Sequence, residues 1–255
     1  MASIFLRPQV TPFVILFVER DGSTYMTTLL QEHPGIEIIF ERFAVMRQKG
    51  QSAQEQLAWV NDHWTPALVS KVGAIGFKTK LVDVLDLDGF TRLLHGKKVK
   101  ILYMYRRNRI KAVVSRINAK RLHEATGNWN LYKESDRQPP MTVDIAEFHQ
   151  FVQEREDADN ALAAYVESLQ LPHMRIQYED LQMDKDSVLK QVFAFLGVQA
   201  ATVQGKTKKH TKDDLREVVV NFDELKASFA GTPYFDMFDE VVESDDGEIE
   251  NENDE

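Results

Sequence analysis

A chain of 255 residues, 43% hydrophobic and 28% charged, has apolar material for one sizeable α/β domain or at most two small ones. It contains no cysteine, which excludes disulfides and thiolate zinc sites; its seven histidines show no HExxH or comparable spacing, so no metal is expected. The net charge of -9 belongs to the C-terminal DEVVESDDGEIENENDE (239–255), which holds ten of the 40 acidic residues; the remaining 30 face 31 basic ones, leaving 1–238 near neutral. That segment is expected to be a disordered solubilising tail on a single domain spanning 1–238.

In chain order, the N-terminal MASIFLRPQVTPFVILFVER is broken by Arg7, Pro8 and Pro12 and lacks a small-residue cleavage site. It reads as a strand rather than a signal peptide. No apolar run approaches the roughly 18 residues of a membrane span, so a cytoplasmic protein is expected. FVILFV (13–18), VGAIGFKT (72–79), VKILYMY (99–105) and HMRIQY (173–178) are short, continuous apolar runs of the kind buried on both faces of a parallel sheet. Between them, helical spacing predicts a helix over 52–70 with Leu57, Val60, Trp64 and Leu68, and another over 110–123. The segment 143–170 is also helical, but its central QEREDADN is polar all round, consistent with a solvent-exposed helix or with two helices and a joint. DSVLKQVFAFLG is a helix closed by Gly197. The fold class is α/β, a central parallel sheet flanked by helices on both faces, with ligands expected at the carboxyl ends of the strands.

One such end is ERDGST. There Gly22 can adopt a left-handed backbone, Ser23 or Thr24 can cap the following helix, and free N–H groups would converge on a point that attracts an anion. Arg20 and the two hydroxyls add donors; an ordinary capped junction is the alternative. A Walker A loop is excluded, since no Gly-Lys-Ser/Thr follows Gly22.

RDGST (20–24) resembles the 5′-phosphosulfate loop of the PAPS-dependent sulfotransferases, a basic residue, any residue, Gly, Ser or Thr, then Thr. The family's 3′-phosphate motif, an arginine at a strand end, then Asp or Asn, and a serine eight residues after the arginine, is matched by Arg107, Asn108 and Ser115 in YRRNRIKAVVSRINA. Alone, RRNR reads as a solvated basic loop. Relatives often carry proline at the position of Arg109, which puts the local loop shape in question. Further similarity runs through LLQEHPGIEIIFERF (29–43), GFKTKL (76–81), YEDL (178–181), FLGV (195–198) and NFDELKASFAGTPYFDMF (221–238); the last block is similar to bacterial, carbohydrate-type members.

The resemblance implies the family's P-loop-like fold and transfer of a sulfuryl group from PAPS to an acceptor hydroxyl, giving PAP and a sulfate ester. It implies that Arg20 neutralises the leaving phosphate, with Asp21, Gly22, Ser23 and Thr24 forming the donor loop, and that Arg107 and Ser115 hold the 3′-phosphate. Lys78 is a candidate for the transferring group, and Tyr178 and Tyr25 for the adenine. Lys206 and Lys209, in the basic loop GKTKKHTK (205–212), are candidates for closing the 3′-phosphate pocket. Cytosolic relatives use a histidine base where this chain has Lys80, a poor base at its ordinary pKa. Carbohydrate-type relatives use a glutamate, which matches Glu41; the alternatives are Glu37, His33, or a Glu41 that is merely a surface residue of an early helix. Trp129 and DRQPPM (136–141) are expected at an acceptor pocket for a sugar, glycolipid or other small alcohol. A phosphoryl-transfer enzyme of the wider P-loop group and a non-catalytic nucleotide-binding module are the rival readings. Nucleic acid is not an expected partner, for want of a basic patch with interleaved aromatics.

Overall fold

The computed structural model describes residues 10–65, 72–131, 133–204 and 213–242. Five parallel strands, β1 (Thr11–Leu16), β2 (Ile36–Ile39), β3 (Ala74–Thr79), β4 (Lys100–Tyr105) and β5 (His173–Gln177), form one sheet in the order β2-β3-β1-β4-β5. The central strand sends alternate residues to opposite faces, and both are covered. Phe13, Ile15 and Phe17 join Leu29 and Leu30 of α1 (Ser23–Gln31), whereas Val14, Leu16 and Val18 join Phe43 of α2 (Arg42–Gln48), Val60 of α3 (Ala53–His63) and Phe90 of α4 (Leu87–Lys97). The four predicted strands are present. Short edge strand β2, with Glu37 exposed in its four residues, was not expected.

After β4 come α5 (Arg109–Thr126) and α6 (Ile145–Leu169); α7 (Tyr178–Met183), α8 (Lys185–Leu196) and α9 (Phe222–Ser228) complete the described helices. The segment 143–170 resolves into the single 25-residue α6, with no joint. Its polar middle is not solvent-exposed throughout, because Arg155 is buried and faces the sheet ends. The expected helix over 52–70 is shorter: Ser52 and Glu55 form a capping box, Trp64 closes α3, and Leu68 lies outside the described residues. Gly197 ends α8 in the left-handed region, as its position predicts.

The C-terminal block packs α9 and Phe238 onto α5 and α6 through Val113, Phe148, Val152, Phe222 and Leu225. Asn221 fastens it by exchanging side-chain hydrogen bonds with both backbone groups of Val143. The acidic segment is not free from its first residue. Asp239 is ion-paired to Arg216 and Lys226, Glu240 to Arg107, and the Val242 N–H donates to Asp213, so 239–242 are fastened to the domain by charge. No helix among the described residues is long and apolar enough to cross a membrane.

The chain leaves β1 towards β2 on one side and leaves β4 towards β5 on the other, so the adjacent carboxyl ends of β1 and β4 bound a crevice where the strand order reverses.

Candidate active site

The turn after β1 carries two left-handed residues, Arg20 (φ 70°) and Gly22 (φ 76°). Gly22 is required twice over, since a Cβ there would also run into the Tyr178 ring. Gly22 itself occupies the N-cap position of α1, and no side chain caps the helix, which corrects the expected capping by Ser23 or Thr24. Their hydroxyls turn instead to Lys78, whose Nζ lies 2.8 Å from Thr24 Oγ1 and 3.4 Å from Ser23 Oγ. The first N–H groups of α1 therefore keep the donor capacity and partial positive charge of a helix start.

Asp21 has a different role from that expected. Its carboxylate is 1% exposed, accepts the Val18 N–H at 3.0 Å, and is paired with Arg155 of α6, so it braces the turn from behind and is no donor for an anion. Burial pushes this carboxyl up to about 7, against the opposing pull of the Arg155 guanidinium. Arg155 also donates to the Glu19 carbonyl at 2.7 Å and to Asp159 Oδ1 at 2.9 Å. The sequence reading missed Arg155 and Asp159. Their i,i+4 spacing, together with a buried acid in the loop, is the signal that would find them.

Lys78 is 1% exposed at the end of β3, not a solvated strand-end lysine. Its ammonium sits between the Thr24 hydroxyl and Glu41 Oε1 (3.1 Å), over the rings of Phe17 and Phe40, and burial lowers its pKa against the pull of Glu41. Glu41 ends the β2 connection at the N-cap of α2 with a third of its side chain exposed. It thus faces the crevice from the edge opposite the arginines. Lys80, 3.6 Å from Glu41 and 3.4 Å from Asp83, is ion-paired and no base. The other two base candidates are placed elsewhere. Glu37 lies in register with Ile75, three residues short of Lys78 along β3. His33 is buried beyond the end of α1, accepting from Gly35 N–H (3.0 Å) and reaching the Gln199 carbonyl (2.8 Å).

The two motifs meet at Arg20. Its Nε donates to Ser115 Oγ at 3.0 Å, and Ser115 is buried on the second turn of α5. Behind it lies Arg106, also missed. Its Nη1 reaches the Arg20 carbonyl at 3.4 Å, its guanidinium covers the Tyr178 ring at 4.8 Å, and its buried Nε has no hydrogen-bond partner among the described residues. Glu179, 4.0 Å from that Nε, is beyond hydrogen-bond reach. Burial first, and the neighbouring Arg106 second, lower the Arg20 pKa to about 10. Two crowded guanidinium groups with spare donors are the electrostatic complement of a bound polyanion.

The turn after β4 is held differently. Buried Glu179 accepts the backbone N–H groups of Arg107 and Asn108, both at 3.1 Å, and Asn108 caps α5 through Lys111 N–H. The Arg107 side chain is half-exposed and donates to Glu240 Oε1 at 2.7 Å; Asn108 Nδ2 donates to Glu240 Oε2 at 2.9 Å. Arg107 thus does not converge on Ser115, as the motif implied, but faces the C-terminal segment. Where relatives often carry proline, Arg109 starts α5 and is paired with Glu156 and Asp159 of α6, each at 3.0 Å.

Tyr178, expected near the adenine, supports Gly22 and Arg106. Tyr25 packs against the core cluster on the α1 and α8 face, the packing alternative to a base contact. Lys206 and Lys209 lie outside the described residues. Trp129 stacks on His123 at 4.1 Å, and its carbonyl is 3.5 Å from Arg20 Nη1. The 136–140 loop lines a cavity of about 320 Å³ together with Asn118, Leu131 and Glu134. Asn118 is three residues beyond Ser115 on α5, and Trp129 is not among the cavity walls.

A parallel five-stranded sheet with an anion-seeking turn that lacks the Walker lysine has the P-loop-like architecture of sulfotransferases. The crystal structure of the sulfotransferase from Alicyclobacillus acidocaldarius superposes with a TM-score of 0.50 at 19% identity, covering 91% of this chain and 94% of that one. The sulfotransferase domain model matches residues 15–230, and the chain belongs to that family; it is a transferase. Nodulation protein H of Rhizobium tropici is 27% identical over 247 residues, 91% of this chain and 94% of that protein. The Rhizobium meliloti protein of the same name is 26% identical over 239 residues, 89% and 95% of the respective chains.

Proposed function

We propose that this sulfotransferase uses PAPS as donor and sulfates a hydroxyl of a carbohydrate or glycolipid, releasing PAP. The observation that carries the reading is the 3.0 Å contact between Arg20 and Ser115, by which the residues of two separate phosphate motifs share one crevice. The donor's 5′-phosphosulfate would lie across the start of α1, where the N–H groups of residues 22–24, Arg20 and the open edge of Arg106 offset the charge that develops on the leaving phosphate. Lys78, already among the Thr24 hydroxyl and Glu41, would contact the sulfuryl oxygens. Glu41 would take the acceptor proton, being the partly exposed carboxylate beside that ammonium. The cavity beside Asn118 and the 136–140 loop combines apolar walls with carboxylate and amide groups suited to sugar hydroxyls. The cysteine-free sequence suits a cytosolic setting for the reaction.

Incubation with PAPS labelled in its sulfuryl group, over a panel of oligosaccharides, glycolipids and phenols, tests donor and acceptor together; transfer confined to phenols would overturn the acceptor class. Magnesium ATP binding more tightly than PAP would overturn the donor. Glu41→Gln is expected to lower kcat by ~10²- to 10⁴-fold while PAP affinity is kept. A fully active variant would move the base role to another group.

A further inference from the structure

The Arg107 and Asn108 side chains, which the proposed reading assigns to the donor's 3′-phosphate motif, are already bridged by one carboxylate. Glu240 Oε1 is 2.7 Å from Arg107 Nη1, and Oε2 is 2.9 Å from Asn108 Nδ2. A carboxylate spanning two donors in this way presents the same paired oxygens as one edge of a phosphate. The segment that delivers it is located on both sides. Asp239 is paired with Arg216 and Lys226, and the Val242 N–H donates to Asp213, which in turn pairs with the buried Lys111 of α5 at 2.6 Å. Asn108 Nδ2 also donates to the Met237 carbonyl at 2.7 Å, tying the approach of the segment to the same turn. Residues 239–242 therefore form a short acidic strap across the start of α5.

We propose that Glu240 is an internal competitor for the donor's 3′-phosphate: it vacates Arg107 and Asn108 when the nucleotide binds and returns to them as PAP leaves. The inference rests on the PAPS reading above and adds a regulation of that site. The exchange is feasible because the Arg107 side chain is 49% exposed, and an exposed pair of this kind is weak enough for a phosphate dianion to displace. Its consequence is a tax on affinity. A site that is open for only a fraction of the time binds its ligand more weakly by that fraction. Only ligands that need Arg107 are subject to it.

Calorimetric titration of the full chain and of Glu240→Gln with PAP, and in parallel with adenosine 5′-phosphosulfate, which lacks the 3′-phosphate, tests this. The expected result is PAP binding about three- to ten-fold tighter in the variant, with adenosine 5′-phosphosulfate unchanged. The PAP inhibition constant in steady-state turnover should move by the same factor. Equal or weaker PAP binding in Glu240→Gln overturns the proposal, and equal tightening of both nucleotides overturns the assignment to the 3′ group. PAP binding by neither protein would overturn the donor reading itself, and the strap's role with it.

Discussion

The turns after β1 and β4 stand side by side at the centre of the sheet, each followed by a helix and each bearing an arginine, yet they treat negative charge in opposite ways. After β1, the helix start has no side-chain cap, the hydroxyls are turned to Lys78, and the local acid, Asp21, is held on the far side by Arg155. After β4, the helix is capped by Asn108, Glu179 takes two backbone N–H groups, and Glu240 sits on Arg107. The first turn is a cradle braced from behind, and among the described residues no carboxylate is ion-paired with Arg20, while Glu41 sits on the neighbouring Lys78. The second is a set of anion contacts already satisfied from within, and its outermost member is exchangeable. The buried bracing lies where bond cleavage is proposed, and the half-exposed pairing where only binding is proposed.

The strongest way to break this contrast is to remove the brace of the first turn. Asp21→Ala leaves buried Arg155 with Asp159 and the Glu19 carbonyl and should cost about 3–5 kcal/mol of unfolding free energy, read from urea denaturation. A loss below about 1 kcal/mol would show that the turn holds its shape without that pair. Next comes Gly22→Ala, which forces a strained left-handed alanine towards the Tyr178 ring. Backbone strain of about 1 kcal/mol and overpacking of about 1–3 kcal/mol should together lower PAP affinity ~30- to 1,000-fold. Unaltered affinity would mean that the ring moves freely. The smallest effect is expected for Arg107→Ala, because that guanidinium is half-exposed and already engaged. PAP affinity should fall less than ~10-fold, and a loss as large as that of Gly22→Ala would erase the distinction between the turns.

Sequence reached furthest where burial and backbone demands coincide. β1, β3 and β4 are buried almost throughout and were legible as runs, as was edge strand β5, of which only Ile176 is buried, and the conformation of Gly22 between a strand and a helix. β2 escaped because four residues with an exposed Glu37 make no such run. At the site, Arg20 was legible as a basic residue in a strand-to-helix turn, and Lys78, Glu41 and Ser115 through the resemblance to sulfotransferase segments; the structure brings Arg20 to Ser115 and Lys78 to Glu41. Composition could not say which polar side chains face inward. The middle of α6 looked like a solvent face because the partners that turn it inward lie far off in sequence, Asp21 for Arg155 and Arg109 for Asp159. The three arginines in RRNR were equivalent as letters, whereas the fold buries most of Arg106, turns Arg107 outward and pairs Arg109 with α6.

The two oxygens of Asp159 are divided between Arg155, which reaches the turn after β1, and Arg109, which opens α5. One carboxylate is therefore a caliper whose jaws rest on both turns at once. Their spacing is set in part on α6, by Arg155 and Asp159, which face other charged side chains of the protein. The distance between the two turns is thus held from behind the crevice, at a point no ligand in it would touch.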